Sequence, residues 1–251
     1  MAGRTQRAAI VTGAAGMIGS ATVRHLRQAG WSVLAVDLRE PDIADGIAAL
    51  AADVTDPEQA ARIAVQARTL FGHADALVHI AGGAGPTRAP DLASTDLDVW
   101  NHVIALNVTS AFLLCRTLIP PMREAGFGRV VLLSSIIARG EKGLPTTVAA
   151  RLPYAAAKAA LEGLTAQLAK DCAGDGVTVN AVAPGLILGE IGTRIRDRFE
   201  ALPQTERARM MRAIPAGRSG TADEVAGLIA FLLSPEAAYL NGATIPVNGA
   251  A

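Results

Sequence analysis

The run Ala8-Ala9-Ile10-Val11-Thr12-Gly13-Ala14-Ala15-Gly16-Met17-Ile18-Gly19 decides the architecture. Its first four residues are apolar and include two β-branched side chains, the pattern of a short strand buried on both faces. Glycines at 13, 16 and 19 then open a helix expected from about Met17 to Ala29. In a strand, glycine turn and helix the backbone can approach a pyrophosphate, whose charge lies over the first free amides of the helix, Ile18 among them. The spacing is looser than the commoner Gly-x-Gly-x-x-Gly, so its meaning rests on the residues downstream. A second strand, Trp31 to Val36, ends in Asp37, close to the ~20-residue offset at which a carboxylate meets the adenosine ribose hydroxyls. That carboxylate would repel a 2′-phosphate, so NAD is expected over NADP. Arg39 is the one nearby cation that could favour the phosphate, and the glycine turn contains none.

The surrounding chain has 251 residues, half of them apolar, enough for one large α/β core. Lysine plus arginine and aspartate plus glutamate number 23 each, so no net field draws the protein to nucleic acid or an anionic membrane. Cys115 and Cys172 lie far apart in apolar helical patterns and read as buried thiols. The apolar run after the basic start stops at Thr12-Gly13, too soon for a secretory signal, and no stretch reaches the length expected of a membrane span. A cytoplasmic, reducing setting is expected.

A third strand is expected to end in Ala51-Ala52-Asp53-Val54, followed by a helix from about Pro57 to Phe71 capped by Asp56. Asp53, with Val54 beside it, is placed to accept from an adenine amino group, or else terminates the strand. Ala76 to Ile80 forms a fourth strand, whose exit Ala81-Gly82-Gly83 is small enough for a cofactor to lie close. His79, in a buried strand without metal-ligand partners at useful spacing, reads as a hydrogen-bonded core residue. A long helix from about Leu97 to Leu118 carries Asn107, a buried amide that needs partners. A fifth strand, Val130 to Leu133, delivers Ser134-Ser135 at its carboxyl end, where open α/β sheets place ligands.

Tyr154-Ala155-Ala156-Ala157-Lys158 then sets a proton donor and a cation one helical turn apart on one face. A free tyrosine titrates near pH ~10, so work near neutrality needs a shift of roughly three units, or about 4 kcal/mol. An ammonium ~5 Å away supplies roughly 3 kcal/mol at an effective dielectric of about 20.

With the glycine turn, Asp37, Asp53, Asn107, Ser135, Tyr154 and Lys158 in this order, the chain resembles the short-chain dehydrogenase/reductase family, in its single-domain branch. The resemblance extends to Val179-Asn180-Ala181-Val182-Ala183-Pro184-Gly185, taken to follow the sixth strand, and to the ending Val247-Asn248-Gly249. It implies an α/β, three-layer, Rossmann-like doubly wound parallel sheet of about seven strands in a single domain spanning 1–251. It also implies hydride transfer between a nicotinamide cofactor and an alcohol or ketone. By the same resemblance Tyr154 is the general acid/base, and Lys158 holds the nicotinamide ribose and lowers the tyrosine pKa. Ser135 orients the carbonyl, and Asn107 secures a water that relays the proton. Ala81, Gly82, Pro184, Gly185 and the backbone of Ile187 line the cofactor.

The chain departs from the family pattern in four places. Ile80 stands where an asparagine usually ties neighbouring strands, and Gly189 stands where a threonine usually contacts the cofactor, with Thr193 nearby. The ending lacks an aspartate, and a longer loop, including Ala138 to Pro145, separates Ser135 from Tyr154. That loop is expected to border the substrate pocket. The segment from about 186 to 216 reads as a lid. Its arginine-rich part reads as a solvated face, with anion binding as the alternative.

The leading expectation is an NAD-dependent dehydrogenase or reductase of a small to medium alcohol or ketone. The alternatives are an NADPH-dependent 3-oxoacyl-thioester reductase and a non-catalytic nucleotide-sensing protein. The resemblance also implies a homotetramer, for which the faces around Ala159-Leu161-Leu164-Leu168 and Phe231-Leu232 are candidates.

Overall fold

The computed structural model describes residues 6–41, 46–140 and 148–251. The strands are β1 (Ala8–Thr12), β2 (Ser32–Asp37), β3 (Ala48–Ala51), β4 (Ala76–His79), β5 (Gly128–Leu133), β6 (Val177–Pro184) and β7 (Thr244–Val247). They form one sheet in the order β3-β2-β1-β4-β5-β6-β7, and every neighbouring pair runs parallel. Near-continuous apolar strands fit a sheet covered on both faces. Ile10, Leu34 and Leu77 pack with α2 (Pro57–Phe71), α4 (Ser110–Glu124) and α5 (Arg151–Cys172). Their neighbours Ala9, Val11, Val33 and Val78 pack with α1 (Met17–Gln28) and α8 (Ala222–Leu233) on the other face. The order reverses between β1 and β4, so their carboxyl ends open the crevice in which doubly wound sheets bind ligands.

Four sequence expectations need correction. β3 is Ala48–Ala51 and ends where its final segment was expected to begin. Ala52 and Val54 are buried because the chain turns inward after the sheet edge, and their apolarity reflects that turn rather than a strand. The motif from Val179 to Pro184 lies on β6 itself, with Asn180 bonded to Leu240 and Ala243 next to the sheet edge. The helix starting at Leu97 runs as α3 (Leu97–Ile104), a π turn (Ala105–Thr109) and α4, and it continues past Pro120 and Pro121 to Glu124. Proline φ suits a helix, and Met122, only 1% exposed, anchors the last turn in the core.

The helical run Leu97–Glu124 spans 28 residues and is long and apolar enough to cross a membrane by length and composition, contrary to expectation. Half of its most apolar stretch is buried against the sheet and neighbouring helices, as a core helix requires. Asp56 caps α2 by accepting from the Glu58 and Gln59 amides, as the sequence indicates. Both cysteines are buried, and burial pushes the Cys115 thiol up to about 12.

Candidate active site

The glycine turn is built from very close backbone approaches. Gly13 has φ of +70°, and a Cβ there would lie 2.7 Å from the Ala81 amide nitrogen. A Cβ on Gly19 would lie 2.0 Å from the Gly13 carbonyl oxygen. Glycine is therefore required at both positions for steric reasons. No side chain caps α1 and its first turn holds no acid, so its leading amides and dipole face the crevice. Asp37 reaches across this turn, accepting from Ala15 N at 3.0 Å through Oδ2 and from Leu38 N at 2.8 Å through Oδ1. Asp53 closes a local turn, accepting from Thr55 N and Oγ1 through Oδ1, while its own amide donates to Gln59. Val54 is buried beneath it. These residues fit a dinucleotide: a sterically tight turn, uncapped amides for the pyrophosphate and a carboxylate for ribose hydroxyls.

Next along the crevice, β5 ends in two serines with different surroundings. Ser134 is buried, and its hydroxyl faces Lys158 O at 3.0 Å and Glu162 Oε1 at 3.1 Å. Ser135 is half-buried and lies at the start of a short 3-10 turn, Ile136–Arg139. Among the described residues its hydroxyl makes only long contacts, to Pro184 O at 3.5 Å and from Ile137 N at 3.4 Å. A hydroxyl held this loosely is free to turn toward a ligand. The sequence singles out Ser135 only through the family resemblance; the fold distinguishes the two by burying Ser134 against α5.

Helix α5 begins at Arg151 with Pro153 in its first turn, where a missing N–H leaves no intrahelical bond unmade. Tyr154 follows at once and faces a cavity of about 300 Å³ that Ser135 also lines. One turn on, Lys158 is 2% exposed. Its Nζ donates to Leu133 O at 2.6 Å and lies 5.4 Å from the centre of the Tyr154 ring. Burial lowers the Lys158 pKa to about 7. Desolvation opposes the permanent cation expected from the sequence. The backbone partner, Leu133 O, has no sequence signal.

Asn107 lies in the π turn, fully buried. Its Nδ2 donates to Gly83 O and Val103 O, both at 2.8 Å, and its Oδ1 accepts from Gly83 N at 3.0 Å. Both amide protons are therefore committed to backbone, one locally to Val103 and one to Gly83 across the crevice, rather than to neighbours in its own helix alone. A Cβ on Gly82 would lie 2.6 Å from Asn107 Oδ1 and 3.3 Å from Lys158 Nζ, so Gly82, Asn107 and Lys158 converge on one point. Ala81 is held by its amide, which donates to Thr12 Oγ1 at 3.3 Å.

Pro184 and Gly185 close the crevice at the end of β6, and Gly185 N donates to Val247 O. Leu188 N donates to Gly220 O, and Gly220 N donates to Leu186 O. By strand alternation this turns the N–H and C=O of Ile187 to the opposite edge. Gly189 packs against Thr193, whose Oγ1 would lie 3.0 Å from a Cβ at 189; that hydroxyl donates to Glu190 O at 2.8 Å.

Apart from Ser134, Ser135 and Tyr154, the cavity walls among the described residues are apolar or glycine, with Ile137, Val148, Leu186, Ile195 and Met210 prominent. Gly140 and Val148 flank the longer loop, of which residues 141–147 lie outside the described residues, and both border the cavity. Ile195 and Met210 come from α6 (Arg194–Glu200) and α7 (Gln204–Arg212). Three of the arginines there pair locally: Arg196 and Arg207 with Glu200, and Arg209 with Glu206.

The sequence matches the family described as enoyl-(acyl carrier protein) reductase over residues 13–250. The 3-oxoacyl-[acyl-carrier-protein] reductase FabG of Salmonella typhimurium is 37% identical over 248 residues, covering 96% of this chain and 95% of that protein. The FabG of Pseudomonas aeruginosa is 34% identical, covering 97% and 96%. Among solved structures, levodione reductase superposes with a TM-score of 0.86 at 27% identity, covering 98% of both chains. The chain belongs to the short-chain dehydrogenase/reductase family. As a short-chain dehydrogenase/reductase it is an oxidoreductase that uses a nicotinamide cofactor, and the seven-stranded parallel sheet is this family's architecture.

Proposed function

We propose that the chain is an NADH-preferring reductase of uncharged, compact ketones, or the matching secondary-alcohol dehydrogenase. The observation that carries this reading is the pairing of the Tyr154 and Ser135 hydroxyls at one cavity whose remaining described walls are almost wholly apolar. A bound dihydronicotinamide supplies the hydride. Ser135 donates to the substrate carbonyl oxygen, and Tyr154 delivers a proton to it as negative charge develops. Lys158 lies beneath Tyr154 to hold a ribose hydroxyl and favour the phenolate. Asn107 shapes the wall behind Lys158, and a relaying water would donate to an Asn107 oxygen, since its amide protons are taken. Gly13, Gly16, Ile18 and Gly19 carry the pyrophosphate, Asp37 the adenosine ribose and Asp53 with Val54 the adenine. Ala81, Gly82, Pro184, Gly185 and Ile187 frame the nicotinamide end. Residues 186–216 act as the lid, closing apolar Ile195 and Met210 over the substrate.

Asp37 supports NADH over NADPH, and the local pairing of Arg196, Arg207 and Arg209 supports an uncharged substrate. A homotetramer and a cytoplasmic setting complete the proposal. Exposed Phe112, Leu152, Phe231 and Tyr239 are available for subunit contacts, whereas Leu161 and Leu232 belong to the core.

A second reading, reduction of 3-oxoacyl thioesters, is favoured by the similarity to the FabG proteins. Fluorescence titration with NADH and NADPH, followed by a panel of neutral ketones beside acetoacetyl thioester, separates the two. Tight NADH binding and turnover of neutral ketones support the first. NADPH preference with thioester turnover establishes the second, and binding without turnover of any substrate points to a nucleotide sensor.

A further inference from the structure

His79 is the one fully buried histidine among the described residues, and the proposed reaction gives it no task. It ends β4 opposite Thr12, the last residue of β1 before the glycine turn. The hydrogen bonds around it run in one direction. Ser110 donates to Leu106 O at 2.7 Å, so its oxygen accepts from His79 Nε2 at 3.0 Å. His79 Nδ1 then accepts from Thr12 Oγ1 at 2.8 Å, and Thr12 Oγ1 accepts from the Ala81 amide at 3.3 Å. Thr12 and Ser110 are themselves 0% exposed. Burial and the nearby Lys158 cation lower the imidazole pKa to about 3, so this neutral tautomer persists throughout the working pH range.

The chain of bonds crosses the base of the crevice where β1 and β4 part. One end holds the residue that launches the glycine turn, and the other holds the π turn that presents Asn107 to Gly83. Ile80, the neighbouring residue, has only an apolar side chain to offer in that place. We infer that His79 is a positioning residue that locks the glycine turn and the Asn107 π turn to one another through two separable hydrogen bonds. This rests on the reading of the crevice as a dinucleotide site.

The two bonds can be separated by substitution. Asparagine places an oxygen near the Nδ1 position and loses the reach to Ser110; glutamine places an N–H near the Nε2 position and loses the acceptor for Thr12. The test measures dissociation constants for NADH and NADPH by fluorescence, with hydrogen exchange followed by mass spectrometry, well below each variant's melting temperature. His79→Gln is expected to weaken binding of the preferred dinucleotide by about tenfold, the loss of roughly one well-made hydrogen bond. It is also expected to speed exchange in residues 13–19. His79→Asn is expected to bind within threefold of wild type while exchange rises in residues 105–110. Equal dinucleotide affinity in both variants, or equal weakening in both, overturns the inference, as does exchange that rises uniformly along the chain. A wild-type protein that binds neither dinucleotide overturns the underlying site reading, and this inference with it.

Discussion

Tyr154 and Asp37 carry the sharpest consequences of single residues. Tyr154→Phe removes the proton donor and little else, so turnover should fall by roughly 10²–10⁴ with dinucleotide affinity nearly unchanged, as stopped-assay rates and fluorescence titration will show. Asp37→Ser removes the charge that opposes a 2′-phosphate, and the ratio of NADPH to NADH affinity should rise at least ~10-fold. Lys158 adds a pH dependence. Its pKa in the fold is about 7 against an ordinary 10.5, so between those values the unfolded chain holds a proton that the folded chain has released. Stability from this group therefore rises with pH across that window and is constant below it. Cys115, pushed up from 9 to about 12, acts in the opposite sense only above about pH 9. Denaturant unfolding at pH 7 and pH 9 should thus show a gain with pH that Lys158→Met abolishes. That Ser134 turns to α5, and that Leu133 O receives the lysine, depend on atoms that no residue pattern encodes.

At the scale of elements, the glycine turn and the π turn are the two devices that shape the site. Gly19→Ala forces a Cβ against the Gly13 carbonyl, which is backbone and can yield only by moving the turn. The variant should lose at least ~10-fold in dinucleotide affinity, a penalty above 1.4 kcal/mol, while circular dichroism still reports the fold. The strand–turn–helix was legible because its glycines, its apolar strand and Asp37 come in the right order, although each alone is a weak signal. The π turn was not legible, since one extra residue in a helical turn leaves the apolar periodicity of Val103 to Leu118 almost intact. The edge strand β3 was misplaced for a similar reason. Half-exposed alanines at a sheet edge give a weaker pattern than the buried turn residues that come after them.

At the scale of the whole molecule, the exposed apolar side chains Phe112, Leu152, Phe231 and Tyr239 should be covered in an assembly. Light scattering is expected to give four times the 25.8 kDa chain mass, and Phe231→Glu should lower it. A result at the single-chain mass in wild type would contradict the tetramer. The sheet order, with β1 between β2 and β4, brings Asp37, Gly13 and Ala81 to one edge although they are spread over much of the amino-terminal half. Chain order alone supplies that set of residues, and right-handed parallel crossovers supply their convergence.

The sequence by itself determined the sheet class and the strand–glycine turn–helix, and it supplied Asp37, Ser135, Tyr154 and Lys158 as the residues proposed for the ribose and the proton transfer. Each of these depends on local spacing or on residue chemistry at a strand end, and both are written along the chain. Only the tertiary structure decided how His79 and Asn107 spend their hydrogen bonds, and that the cavity bordered by Ser135 and Tyr154 is walled by side chains from β5, β6, α6 and α7. Those outcomes depend on which distant groups a buried polar atom meets once water is excluded, and the cost of leaving such an atom unpaired is settled in three dimensions.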